Sequence, residues 1–202
     1  MSKIFIAGIS TNVGKTIISA ILTEYLQADY WKPIQTGSAE GRDLETVKGL
    51  ISNPKTQFWP ETYLFSQPFS PHYAADLDAK IIDIQTFTIP KTANHLIIEG
   101  AGGLFVPLNK NKLLIDLIPK IADEVILVCN EYLGSINHSL LSIAALKVKQ
   151  IPIKGLIFNG DFFADNQAFI LNYSQIPCLG HIPKLDILNK AIIKKAGCFL
   201  NF

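Results

Sequence analysis

Cysteine is scarce in this 202-residue chain, and what is there does not cluster. Cys129, Cys178 and Cys198 are widely separated and odd in number, with no Cys-x-x-Cys pair. That argues against a disulfide framework or a zinc site and fits a reducing cytoplasm. Charge is also sparse. Asp, Glu, Lys and Arg make up 17% of residues and nearly cancel, to a net +1, so no partner is attracted by bulk charge. Without a basic block or aromatic–basic interleaving, no nucleic-acid groove is expected. The start, "MSKIFIAGIS", has one lysine and too short an apolar run for a secretory signal. No uninterrupted apolar stretch has the length that crosses a bilayer, so no membrane is expected as a partner. The four histidines, His72, His95, His138 and His181, never fall at metal-ligand spacing, and His95 and His181 read as structural. No nucleophile elbow or Ser-His-Asp order occurs.

Apolar residues are abundant, at 49%, and the mean hydropathy is +0.27, enough for a large core. The length fits a single domain over 1–202. Nearly continuous apolar runs at 3–8, 95–100, 124–130, 153–160 and 178–183 read as strands buried on both faces. Helical spacing fills 14–27 and 135–150, with Ser135 as a cap for the second helix and Lys147 and Lys149 near its end. Alternation of strand and helix predicts a doubly wound, mostly parallel α/β sheet flanked by helices. Residues 52–94 hold Pro54, Pro60, Pro68, Pro71 and Pro90 and read as surface loops with a short helix or two. Asp161 and Asp165 read as loop residues without chemistry.

The segment "GISTNVGKT", Gly8 to Thr16, joins the first strand to the first helix. That context is the one a phosphate-binding loop requires, although five residues rather than four separate its glycines. Backbone N–H groups of residues 12–16 would face phosphate oxygens at a helix N-terminus. Lys15 would reach the terminal phosphates, and the Thr16 hydroxyl would ligate magnesium. Magnesium needs carboxylate partners too. Glu99 ends a strand, and Gly100, Gly102 and Gly103 after it let backbone approach a ligand. Lys32 precedes a proline and is held extended, where it can offer a second cation. Asp43 fits either a helix N-cap or a metal ligand.

"GISTNVGKT", "KPIQTG", "EGAGG" and "LGSINH" occur in that order, and together they resemble the dethiobiotin synthetase family. The resemblance covers roughly residues 3–185 and includes the extra loop residue. It implies a P-loop NTPase-like fold and an ATP-dependent carboxylase and ligase of biotin synthesis. That activity closes the ureido ring of dethiobiotin from 7,8-diaminononanoate and CO2 through a carbamate and a carbamic-phosphoric anhydride. ATP contacts would come from Thr11, Asn12, Val13, Gly14, Lys15, Thr16 and Ile17, and from Glu99, Gly100, Ala101 and Gly102. Asn159 would read the adenine, with Pro183, Lys184 and Leu185 beside the base. Thr16, Asp43 and Glu99 would hold Mg2+, and Lys32 would act with Lys15 on the phosphoryl group. Thr36 would touch the diamine. Ser135 and Asn137 would receive the substrate carboxylate from the second subunit of a homodimer.

Some positions depart from the family pattern. Asn12 stands where an acidic residue is common, the segment before Lys32 is short, and so a short second strand is expected. Tyr173, with Phe169 nearby, is the candidate for the partner's aromatic contact, and Asp186 and Lys190 straddle the usual ribose-binding acid. The alternative is a P-loop switch or partition-type ATPase with a macromolecular partner. Such proteins carry a second lysine early in the loop, where this chain has Ile9 and Ser10. Lys15→Ala is expected to abolish turnover by removing a charge from the transferring phosphate; near-normal phosphate release would refute the site.

Overall fold

The computed structural model describes residues 1–202. In chain order the elements are β1 (Lys3–Gly8), α1 (Lys15–Tyr25), β2 (Asp29–Trp31), β3 (Ile34–Gln35), α2 (Asp43–Leu50), β4 (Phe58–Trp59), β5 (Tyr63–Leu64) and α3 (Pro71–Leu77). Then come β6 (Leu96–Gly103), β7 (Pro107–Asn109), β8 (Lys112–Leu113), α4 (Leu114–Ile121), β9 (Glu124–Asn130), α5 (Ser135–Val148), β10 (Ile153–Asn159), α6 (Ala164–Ser174), β11 (Cys178–Ile182) and α7 (Lys190–Ala196). Seven strands form one sheet in the order β11-β10-β9-β1-β6-β2-β4, and every pairing in it is parallel. Helices cover both faces. This is why the strands are continuously apolar: Phe5, Ile6, Leu96, Ile97, Ile98, Val125, Ile126, Leu156 and Ile157 are all fully buried.

The order reverses at β1, which lies between β6 and β9. A crevice opens at such a point, outside the carboxyl ends of the strands. Gly8, Asn130 and Asn159 end neighbouring strands at that edge; Glu99, expected to end a strand, instead pairs with Ile6 midway along β6, which runs on to Gly103. As expected, β2 is short, only three residues, and it stops just before Lys32. No helix is long and apolar enough to cross a membrane.

Three local expectations are corrected. Ser135 does not cap α5: Gly134 holds that position at φ 101°, and Ser135, the first helical residue, donates to Glu131 at 3.3 Å. Asp165 belongs to the first turn of α6 rather than to a loop. The largest correction concerns 52–94. It contributes one helix, α3, but also β4 and β5, and β4 is an edge strand of the main sheet. Phe65, Ala74, Ala75, Ile82 and Ile84 from this segment are buried in the core. One buried carboxylate holds both ends of the segment. Asp29 on β2 is fully buried and accepts from the Gln57 backbone at 2.9 Å, from the Asn94 amide at 3.0 Å and from the Thr92 hydroxyl. Two-residue strands are too short to show an alternating pattern, and the prolines around them signal turns.

Phe65→Ala is expected to cost about 3–5 kcal/mol, the usual range for emptying a buried aromatic site. It should lower the urea midpoint without changing the slope. A loss within about 0.5 kcal/mol, as for a surface position, would mean the segment is peripheral.

Candidate active site

The loop after β1 is shaped by close packing. A side chain at Gly8 would meet the Val13 Cγ2 at 2.6 Å. Asn12 takes the left-handed region, φ 59°, and Gly14 follows at φ 91°. At Gly14 the limit is steric as well. Its missing Cβ would lie 2.1 Å from the Asn159 amide nitrogen, which donates to the Val13 carbonyl at 3.0 Å. Asn159, at the end of β10, therefore braces the loop from beneath. Gly14 is also the N-cap of α1, with no side chain bonded to the first turn, so the helix N–H groups there face outward for an anion.

Lys15 folds back over the loop and donates to the Ser10 carbonyl at 3.0 Å. Burial pushes its ammonium down to about 8; Glu99 pulls upward, Lys32 pushes down and Asp43 pulls upward. An anion arriving beside Lys15 therefore meets a cation with little water to displace.

Glu99 organises the rest. It is 1% exposed, midway along β6. Tyr30 donates to its Oε2 at 2.8 Å, while Lys32 at 2.8 Å and Thr16 at 2.9 Å donate to its Oε1. Burial raises the Tyr30 phenol well above the tyrosine range, and the Glu99 charge raises it further, so Tyr30 is a fixed donor. Asp43 enters from α2. Its carboxylate pairs with Lys32 and lies 3.0 Å from the Thr16 hydroxyl. Burial opposes the Asp43 charge, yet Lys32 and the Thr16 and Gln35 bonds hold it below the usual carboxylate range. Burial likewise opposes the Lys32 charge, and Glu99 and Asp43 together raise it above the lysine value. Of the two readings left open for Asp43, the N-cap is wrong: Arg42 occupies that position, Asp43 is the first helical residue, and it makes no cap bond.

The Thr16 hydroxyl has one proton and two carboxylate oxygens within 3.0 Å. The proton can go to Glu99 or to Asp43, but to only one of them at a time. The remaining contact brings two oxygens together with no proton between them, an arrangement that a cation relieves. No group of three or more His, Cys, Asp or Glu side chains gathers anywhere in the chain. Two carboxylates and a hydroxyl are nonetheless a hard-oxygen set that fits magnesium, which usually takes few protein ligands and completes its shell from water or phosphate.

A cavity of about 870 Å3 opens over this cluster. Thr11, Asn12, Gly14, Lys15, Thr16, Ile17, Lys32, Thr36, Asp43, Glu99, Ala101 and Gly102 line it, so most of the residues anticipated from sequence converge. Others do not. Val13 turns its side chain into the core, and Gly100 lies against the Phe5 ring, 2.8 Å from where its Cβ would be. Asn159 and the segment Pro183, Lys184, Leu185 flank the cavity at the ends of β10 and β11 without lining it. Ser135 and Asn137, at the start of α5, are also outside it.

A family model described as an AAA domain matches residues 2–191. The ATP-dependent dethiobiotin synthetase BioD of Christiangramia forsetii is 46% identical over 191 residues, covering 95% of this chain and 92% of its own. This chain belongs to the dethiobiotin synthetase family. The ATP-dependent dethiobiotin synthetase BioD of Cytophaga hutchinsonii agrees, at 44% identity over 96% of this chain and 94% of its own. As a member of this family the chain is an ATP-dependent ligase. Among solved structures, a plasmid partition protein from Borrelia burgdorferi superposes with a TM-score of 0.58 over 96% of this chain and 94% of its own, at 16% identity. That resemblance shows the P-loop α/β fold alone, and the partition-type reading shares it.

Sequence reasoning missed part of this synthetase's cavity. Gln35, Glu40, Arg42, Thr46 and the stretch Pro68 to Pro71 line it as well. Arg42 and Thr46 carried a weak signal, since they flank Asp43 on a helix. Pro68 to Pro71 carried none, because only the tertiary fold brings them over the loop.

Gly14→Ala is expected to abolish binding of a non-hydrolysable ATP analogue, measured by calorimetry, with the thermal midpoint lowered but the chain still folded. The new methyl must displace Asn159 and strain the backbone at a positive φ. Unchanged affinity would mean that the loop is not the phosphate cradle.

Proposed function

We propose that this synthetase closes the ureido ring of dethiobiotin from 7,8-diaminononanoate, CO2 and ATP, as one domain spanning 1–202. One observation carries the reading: two buried ammonium groups, Lys15 and Lys32, converge with Thr16, Asp43 and Glu99 at the phosphate loop, and no cysteine or histidine lines the cavity. The nearest core thiol, Cys129, is pushed up to about 12 by burial and is no nucleophile. A site built this way positions reactants and offsets charge rather than bonding to substrate.

The substrate supplies the nucleophiles. One amine adds to CO2 and loses a proton, giving a carbamate. A carbamate oxygen attacks the γ-phosphorus of ATP and ADP leaves, forming a carbamic-phosphoric anhydride. The neighbouring amine then attacks the carbamoyl carbon, expels phosphate and closes the ring. In this reading Thr11 and the backbone of Asn12 to Ile17 hold the phosphates, and Lys15 and Lys32 face the phosphoryl group in transfer. Thr16, Asp43 and Glu99 would hold magnesium, which when bound would offset negative charge on the phosphates. Tyr30 fixes one oxygen of Glu99 by hydrogen bond and so aims the other at Thr16 and Lys32. Ala101 and Gly102 lie alongside the nucleotide, Gly100 supporting them from the core, and Thr36 meets the diamine. Asn159 and Pro183 to Leu185 flank the adenine.

The same reading makes the working unit a homodimer. Ser135 and Asn137 are outside their own chain's cavity, so a substrate carboxylate bound there would come from the cavity of a second copy. Leu133 and Leu141 are exposed beside Asn137, leaving apolar area for a partner chain to cover. Three free cysteines fit work in a reducing cytoplasm.

The experiment is phosphate release from Mg-ATP with and without the diamine and bicarbonate, with the product identified by mass. Release that requires both and yields dethiobiotin is expected, with Lys32→Ala lowering kcat by about 10²–10³, the usual loss for one electrostatic contact to the transition state. Release indifferent to the diamine would favour the switch ATPase.

A further inference from the structure

The strand ends that carry Lys32 are welded to the segment that follows β4. The Trp31 indole donates to the Pro60 carbonyl at 3.0 Å, and Thr62 and Tyr63 donate to the Pro33 carbonyl at 2.9 and 3.0 Å. Between those anchors sits Glu61, whose side chain is 2% exposed. Its partner comes from α2. Arg42 presents Nε to Oε1 at 3.0 Å and Nη2 to Oε2, a two-pronged pairing.

Glu61 is buried but Arg42 is 32% exposed, so solvent screens the pair and its net contribution to stability is small. Its position is more informative. Arg42 immediately precedes Asp43, and the loop leading to it passes through Gly37 at φ 70° and Gly41 at φ 136°. Besides the Asp43 carboxylate's own contacts with Lys32 and Thr16, two polar contacts pin the start of α2 beside this permissive loop. One is the Gln35 side chain, whose Oε1 accepts from the Asp43 backbone at 3.1 Å; the other is Arg42 on Glu61. The pairing also occupies the guanidinium. Released from Glu61, Arg42, the chain's one arginine, would be left with Glu45 at 4.0 Å and with the Asp43 carboxylate, where it would compete with Lys32.

We infer that Arg42 and Glu61 are positioning residues for Asp43: they fix the register of α2 over the phosphate loop and keep a competing charge off the carboxylate. This rests on the reading of Asp43 as a magnesium ligand. Glu61→Gln keeps the shape and loses the charge. Arg42→Lys keeps the charge opposite Glu61 and loses the fork.

The test is Mn2+ binding to the protein with a non-hydrolysable ATP analogue, followed by the electron paramagnetic resonance of free Mn2+, alongside analogue affinity without metal. Both variants are expected to weaken Mn2+ by about tenfold or more, as for partners that orient a metal's ligands, with metal-free analogue affinity near wild type. Unchanged Mn2+ affinity in the folded variants overturns the proposal; should Glu61→Gln not fold, Arg42→Lys decides. Asp43→Asn separates the two levels. If it weakens Mn2+ while the pair variants do not, the positioning role alone fails. If Asp43→Asn leaves Mn2+ unchanged, the metal reading beneath it fails.

Discussion

Glu99 is a carboxylate with almost no access to water, and an isolated charge in that place would be prohibitively costly. Its burial dictates its surroundings. Tyr30 and Lys32 must come from the neighbouring β2 edge, and Thr16 from the first turn of α1, to give it donors. Lys32, once buried, needs a second negative partner and finds it in Asp43. Four elements are thus locked into one geometry by the requirement to satisfy one charge.

The cluster can sit there because of the sheet's topology. At the centre of a parallel sheet, β1 delivers the phosphate loop at the switch point, and β6 delivers Glu99 beside it in register. Asn159 is placed by the same logic two strands away, where its amide fills the space above Gly14. The loop's one strained glycine and its supporting amide therefore depend on each other across about 145 residues of sequence, a separation that only strand packing closes.

Fold and chemistry separate cleanly here. A plasmid partition protein shares the architecture at 16% identity. What places this chain among the dethiobiotin synthetases is the identity it keeps with them along nearly the whole chain. The sheet itself is permissive.

The sequence by itself determined the phosphate loop and the parallel α/β sheet, while the joint site of Lys15, Thr16, Lys32, Asp43 and Glu99 came from the family resemblance. The first two are local signals. Continuous apolar runs report strands buried on both faces, and glycines in fixed spacing before a helix report a backbone that must approach a ligand. Only the tertiary structure decided that Asp43 begins α2 rather than capping it, that Gly100 rests on Phe5 instead of lining the cavity, and that 52–94 is core. It alone brought Glu61 to Arg42 and Asn159 to Gly14. Each of these depends on a contact between residues far apart in the chain, held by burial and by the need to pair buried polar groups. A linear pattern carries no record of which distant segment will supply the partner.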